Sequence, residues 1–293
     1  VGSIVVKNNT VISSAVTSIN GRPHSEFNAL NNLKNCSGAT LYTTLEPCTH
    51  HGKTPPCVNI ILKKKIKNIF YAFNDPDQRT YKKANKFLNF HGIKTKLITT
   101  KKYHKFYKSY FLNKKKNIPY FAAKIAISKD NFSINKKKKW ITNKYSRKIV
   151  HLLRHKHDCI LSTSKSINAD NSLLNCRING LNNNNPDLVI IDLALKLKKN
   201  LALNKLLKKR KTYLVVDKLY SKKCNTYKKL GFKIIFLESL NNKKDFNLLS
   251  KKIYNIGYSR IFVEAGLTFL NFLLKHKIVD DLYIFQGSDK LEK

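Results

Sequence analysis

The stretch that most constrains this chain is Thr44-Leu45-Glu46-Pro47-Cys48-Thr49-His50-His51-Gly52-Lys53-Thr54-Pro55-Pro56-Cys57, read together with His24-Ser25-Glu26 upstream. Two cysteines in a Pro- and Gly-rich turn, with a His and a Glu one residue apart before them, supply three metal ligands and one proton carrier. Three protein ligands leave the fourth position of a tetrahedral zinc ion open to water, whereas a structural site closes all four. Zinc brings the pKa of that water to about 7. A carboxylate outside the ligand set is then needed to carry a proton to a departing amine. These residue types point to His24, Cys48 and Cys57 as ligands and to Glu26 as the proton carrier. His50 and His51 read as loop residues, because a fourth protein ligand closes the water position.

At 293 residues the chain has room for two domains, and 42% hydrophobic content can build a core for each. The net charge of +40 invites a nucleic-acid reading. Yet only seven of the 57 basic residues are Arg, spread along the chain. The excess is Lys, which lacks the planar fork that specific phosphate and base recognition favours. No specific nucleic-acid partner is expected, only weak attraction to polyanions. Six cysteines, two of them assigned to metal and the rest scattered through apolar segments, fit a reduced compartment. No apolar run reaches ~18 residues, so no membrane helix is expected. The opening Val1-Gly2-Ser3-Ile4-Val5-Val6 reads as a strand rather than a leader. A cytoplasmic protein is expected.

Along the chain, Ile4–Val6 and Val11–Ala15 predict a hairpin across Lys7-Asn8-Asn9-Thr10. Pro23 opens a predicted helix through Leu33, placing His24 and Glu26 at a helix start. Strand Thr40–Leu45 delivers Cys48, and Cys57 begins a second helix through Lys65, a position that favours a thiolate. Strand Asn68–Phe73, helix Lys82–His91, strand Lys94–Ile98 and an amphipathic segment Lys101–Asn113 follow. The lysine run after it predicts a linker over 114–119 between a first domain, 1–113, and a second, 120–293. In the second, strands are predicted at Tyr120–Ile127, Asp158–Ser162, Leu188–Asp192, Tyr213–Val216, Lys233–Leu237, Ile261–Glu264 and Leu282–Phe285. Helices fall at Thr142–Lys156, Asp245–Ile256 and Thr268–His276, with a polar loop at Asn182–Asn185. The alternation gives two α/β domains.

His24-x-Glu26 followed by Pro47-Cys48 is similar to the signature of zinc nucleobase deaminases, in which two residues usually separate the cysteine pair. Here eight do. With that insert the chain resembles the riboflavin-biosynthesis bifunctional deaminase/reductase family, whose fingerprint TLEPC-x-H-x-G-x-TPPC is present at every fixed position. The resemblance implies a cytidine-deaminase-like α/β/α sandwich followed by a dihydrofolate-reductase-like α/β domain that uses NADPH. Landmarks of the second half are Ala126-Ile127-Ser128-Lys129-Asp130, Trp140-Ile141-Thr142, Asp170 with Leu174 and Arg177, and Val263-Glu264-Ala265-Gly266.

Carried over position by position, the resemblance implies that Ala126, Trp140, Ser166, Asp170, Gly266, Leu267 and Thr268 line the NADPH site. Arg154, Leu174, Arg177 and Glu264 then hold a pyrimidine ribosyl phosphate, and Lys53 is a further substrate contact. It also implies a homo-oligomer. The chain departs from the family where TGSGT becomes Ser162-Thr163-Ser164-Lys165-Ser166, which removes two glycines. Against the family both ends read as shortened: the family normally has a helix and a Pro-Asn-Pro turn before the Val1-Gly2 that opens this sequence, and its A-P-K-L-L-G segment after Phe285 is reduced to Gln286-Gly287-Ser288. Three rival readings remain at this level: a deaminase whose reductase half has decayed, a tRNA or free-base deaminase, and a basic binding protein stapled by zinc.

Overall fold

The computed structural model describes residues 1–98, 104–133, 140–181 and 185–291. The chain divides into two compact units, Val1–Lys115 and Lys116–Lys293.

In the first unit, β1 (Gly2–Lys7) and β2 (Thr10–Val16) form the predicted antiparallel hairpin, with Asn8 and Asn9 both at positive φ in its turn. That conformation is one Asn tolerates well. Strand β3 (Thr40–Leu45) pairs antiparallel with β1 and parallel with β4 (Asn68–Phe73), and β5 (Lys94–Leu97) closes the sheet in the order β2-β1-β3-β4-β5. Alternation decides which face is buried: Leu41, Thr43, Ile69 and Tyr71 point into the core, while Tyr42 is exposed and stacks on its registered neighbour Phe70. Helices α1 (Ser25–Leu30), α2 (Cys57–Lys63) and α3 (Lys83–Phe90) supply Ala29, Leu30, Val58, Ile61, Ala84 and Leu88 to that core. Burying each large aliphatic side chain contributes about 2 kcal/mol.

Helix α1 is shorter than the predicted Pro23–Leu33. His24 is its N-cap residue in extended conformation, and the Asn31-Asn32 pair, a poor helix former, follows its end. Helix α4 (His104–Lys116) packs Tyr107 and Phe111 on Phe73 and runs through Lys116, so the lysine run read as linker is helical for its first half. The start of the amphipathic segment, 101–103, lies outside the described residues, as does 182–184 of the polar loop.

The second unit is a seven-stranded parallel sheet ordered β10-β9-β8-β7-β11-β6-β12. Its strands are β6 (Tyr120–Ile127), β7 (Cys159–Thr163), β8 (Asp187–Ile191), β9 (Thr212–Val216), β10 (Lys233–Phe236), β11 (Arg260–Val263) and β12 (Asp281–Gln286). The central ones, Leu188–Ile191 and Tyr213–Val216, are unbroken buried apolar runs, as strands covered on both faces must be. Helices α5 (Lys144–His155), α8 (Lys243–Asn255) and α9 (Leu267–Lys275) fall where predicted. The short helices α6 (Ser164–Asp170) and α7 (Asn225–Leu230) do not appear in the periodicity, since neither spans two full turns. Strand order reverses between β7 and β11. The crevice outside the carboxyl ends of these two strands is where a sheet of this kind binds ligands.

Candidate active sites

In the first unit three elements converge. Strand β3 ends at Leu45 and hands the chain to Glu46-Pro47-Cys48; α2 begins at Cys57; α1 begins just after His24. His24 Nδ1 lies 3.3 Å from Cys57 Sγ and 3.5 Å from Cys48 Sγ, and the three donor atoms all fall within 4.8 Å of one another. Ligands ~2.0–2.3 Å from a tetrahedral zinc stand about 3.5 Å apart, so this nitrogen and two buried sulfurs fit that ion. The Cys57 backbone N–H also points at Cys48 Sγ, at 3.2 Å. Donation from the Cys57 thiol, then from His24 and this N–H, outweighs burial and lowers the Cys48 pKa to about 4. The Cys57 thiol, which gives that hydrogen bond and is itself buried, is pushed up. Arg22 lays its guanidinium against the His24 ring.

Glu26 sits in the first turn of α1 and is 3% exposed. Burial raises its pKa, opposed by its backbone hydrogen bond, by His24 and by the Ser25 hydroxyl, which donates to Oε2 at 3.0 Å. Ser25 accepts in turn from the Ser3 hydroxyl at 2.7 Å. Lys53 is exposed on the loop between the cysteines, beyond the buried centre.

Sequence reasoning missed Glu46. Its buried carboxylate accepts backbone N–H bonds from Asp75 at 3.1 Å, Lys82 at 3.0 Å and Ala84 at 3.0 Å, tying the residue before Pro47-Cys48 to the 75–84 loop and to α3. Replacing Glu46 by Ala strands three N–H groups, each worth about 1–3 kcal/mol when buried and unpaired. The expected result is a lower urea midpoint for this unit, with amide exchange accelerated first at Asp75, Lys82 and Ala84. Unchanged exchange there would show that water replaces the carboxylate without cost.

In the second unit, Glu264 follows β11 and is gripped by Arg154 of α5 through two bonds, Nε to Oε1 at 2.5 Å and Nη2 to Oε2 at 2.9 Å. Lys124 of β6 stands 3.6 Å from Oε2, a neighbour that the sequence analysis overlooked. Burial works to raise the Glu264 pKa, but Arg154 first and Lys124 second outweigh it and hold the carboxyl below its usual range. Arg154 Nη1 also donates to the Asn175 carbonyl at 3.0 Å, and Arg177 Nη1 to Asn175 Oδ1 at 2.6 Å. Arg154, Arg177 and Glu264 are thus brought together around Asn175, with Leu174 beside it in the left-handed region at φ 47°.

Across the sheet reversal, Ser166 Oγ accepts from the Gly266 N–H at 2.9 Å, which brings those two predicted positions together. Gly266, Leu267 and Thr268 are exposed at the start of α9, where first-turn N–H groups favour an anion such as a phosphate. Asp170 lies one turn along α6 from Ser166, on the same face. Ala126 is near the end of β6. Trp140 is exposed, with the Arg147 guanidinium 4.7 Å over its ring. The backbone at Ile141 is fixed by Gly287, where a Cβ would lie 2.2 Å from the Ile141 carbonyl oxygen. Exposed helix-start donors beside a half-buried serine suit the phosphates of a nicotinamide dinucleotide.

A mixed-sheet unit whose His/Cys/Cys cluster joins two buried sulfurs to a half-buried imidazole, followed by a parallel-sheet unit with exposed helix-start donors where its strand order reverses, has the make-up of a zinc-site deaminase fused to a nucleotide-dependent reductase. Comparison with known proteins agrees half by half: residues 1–73 match the cytidine and deoxycytidylate deaminase zinc-binding region, and residues 119–288 match the RibD C-terminal domain. The chain is 32% identical to the riboflavin biosynthesis protein RibD of Buchnera aphidicola subsp. Baizongia pistaciae, over 97% of this chain and 80% of that one. It is 29% identical to RibD of Aquifex aeolicus over 97% and 79%. The fold matches the crystal structure of Acinetobacter baumannii RibD with a TM-score of 0.87 at 24% identity, covering all of this chain and 81% of that one. This chain belongs to the RibD family of riboflavin biosynthesis, bifunctional enzymes with a zinc-dependent deaminase half and an NADPH-dependent reductase half.

Proposed function

We propose that the chain deaminates a diamino-pyrimidinone ribosyl phosphate in its first half, over 1–113, and reduces the ribosyl group to ribityl in its second, over 120–293. The observation that carries the reading is the His24, Cys48 and Cys57 cluster with the buried carboxyl of Glu26 two residues from one of its ligands. His24, Cys48 and Cys57 hold zinc, which when bound supplies the acidification of water that hydrolysis at neutral pH requires. Glu26, its pKa raised by burial, takes a proton from water and returns it to the leaving amine as ammonia departs. Lys53, exposed and cationic on the loop between the two cysteines, contacts the substrate phosphate.

In the second half, Ala126, Trp140, Ser166, Asp170, Gly266, Leu267 and Thr268 line the NADPH site. Hydride transfer is the chemistry of the cofactor; these residues orient it. Arg154, Leu174, Arg177 and Glu264 hold the ribosyl phosphate. The Arg177 fork suits phosphate, while Glu264, kept ionised by Arg154, accepts hydrogen bonds from sugar hydroxyls. The six cysteines, all unbridged, fit a reducing compartment, and we place the enzyme in the cytoplasm as a homo-oligomer. The basic surface attracts polyanions without sequence preference.

The test is turnover of the diamino-pyrimidinone ribosyl phosphate by zinc-loaded protein, with and without NADPH, followed by mass. Ammonia is expected in both cases and the ribityl product only with NADPH. Ammonia alone in both would overturn the reductase assignment, and activity on RNA instead would overturn the substrate. Removing zinc with a chelator is expected to abolish ammonia release while leaving NADPH-dependent reduction of already deaminated substrate intact; added zinc restores the first activity at one ion per chain.

A further inference from the structure

The stretch that follows α6, 171–177, carries Leu174, Asn175 and Arg177, and its backbone takes a demanding course. Asn171 and Leu174 are both in the left-handed region, at φ 45° and 47°. A branched residue such as Leu persists there only where the surroundings over-determine the backbone. What over-determines it comes from elsewhere in the chain. In the run Lys208-Lys209-Arg210-Lys211, the three lysines are exposed and Arg210 alone is folded inward, to 6% exposure.

Its hydrogen bonds among the described residues all go to backbone carbonyls, with Asp187 as a charged neighbour. Nη1 donates to the Leu174 carbonyl and to that of Pro186 at 3.3 Å; Nη2 donates to the Leu173 carbonyl at 2.6 Å. Nε has no partner among the described residues. Burial lowers the Arg210 pKa to about 10, which still leaves it charged near neutrality. A planar fork can span three carbonyls on two chain segments; an ammonium at the end of a flexible stem cannot hold them in one plane.

We propose that Arg210 is a positioning residue of the reductase half, fixing the Leu173–Leu174 backbone so that Asn175 and, through it, Arg177 and Arg154 are presented to the substrate. The proposal rests on the reading of Leu174 and Arg177 as substrate-binding. Arg210 touches no substrate itself. It joins the loop to Pro186 at the head of β8 and to the turn before β9, so the substrate loop takes its geometry from the rigid sheet.

Arg210→Lys keeps the charge and changes the grip. Steady-state kinetics of the reductase step are expected to show a KM for the pyrimidine substrate raised about tenfold, with KM for NADPH little changed. Ammonia release by the same preparation is the internal control and is expected to be unaffected. Amide exchange at Leu174 and Asn175 is expected to quicken. A folded Arg210→Lys enzyme with unchanged substrate KM would overturn the proposal. So would kcat falling in proportion to folded protein at constant KM, which is the mark of stability alone. Arg177→Ala separates the two layers: if it leaves substrate KM unmoved, the reading of the site fails. If Arg177→Ala raises KM and Arg210→Lys does not, the positioning role fails. Loss of a folded reductase half in Arg210→Lys, with ammonia release intact, makes Arg210 a folding residue and also overturns the proposal.

Discussion

Replacing Glu26 by Gln is expected to lower kcat for ammonia release by about two to four orders of magnitude while the protein retains its zinc. The amide is nearly isosteric with the carboxyl and can still accept the Ser25 hydroxyl hydrogen bond seen at 3.0 Å. The cluster of His24, Cys48 and Cys57, which we propose as the ligands, does not include Glu26, so metal content should stay at one ion per chain. What is lost is a group that can both take and give a proton beside the reacting carbon. Because the loss falls on the chemical step, KM for the substrate should move much less than kcat. NADPH-dependent reduction of already deaminated substrate serves as the control, since its residues belong to a separate compact unit. A variant that keeps its zinc and releases ammonia within tenfold of the parent rate would remove Glu26 from the mechanism. A variant that loses zinc would show that the carboxyl supports the metal instead.

That His24, Cys48 and Cys57 cluster was legible in the sequence through residue types and the resemblance of the 44–57 fingerprint to a known family, since two of the three frame one loop. His24 and Glu26 share a helix start, whereas the meeting of that start with the loop needed the fold. All twelve described strands fall on predicted ones, and burial is recorded most directly by the alternation in β3 and β4 and by the unbroken apolar runs in β8 and β9. The parts that escaped have partners far away in sequence. Glu46 is one letter in a fingerprint until the fold brings Asp75, Lys82 and Ala84 to its carboxylate. Lys124 reads as one lysine among many until β6 and β11 pair and set it beside Glu264. Arg210 sits in a basic run that periodicity treats as surface, and nothing local marks it as the one that turns in. Helix α6 was hidden for another reason: seven residues starting at a Thr163 cap are too few to show a period. The Ser166 hydroxyl accepts from the Gly266 N–H, a contact readable only once both strand ends are in place.

The Arg154–Glu264 pair gives the second large effect, and pH supplies its sign. Arg154→Met leaves a buried carboxylate with Lys124, at 3.6 Å, as the ion-pair partner that remains among the described residues, and Arg177 as a further positive neighbour. Removing one member of a buried pair costs about 3–5 kcal/mol, read as a lower urea midpoint for this unit by fluorescence of Trp140, the chain's only tryptophan. In the parent protein the Glu264 pKa is held below its ordinary value of 4.5. The unfolded chain therefore binds the proton more readily. The pair's contribution to stability is complete above that ordinary value and is lost as pH falls through the lower folded-state pKa. Without Arg154, burial is the larger influence and the folded-state pKa rises above the ordinary value. The folded variant then binds the proton more readily than the unfolded chain, and its stability falls as pH rises through that range. The gap between parent and variant should thus be widest near neutral pH and narrow toward pH ~4. The double variant Arg154→Met with Glu264→Gln removes the stranded charge and should regain part of the lost stability at neutral pH without regaining substrate binding. A gap that does not change with pH, together with a double variant no more stable than the single one, would mean that Arg154 acts through packing alone. In that case Glu264 would not owe its ionised state to the guanidinium, and its role as an acceptor for sugar hydroxyls would lose its physical basis.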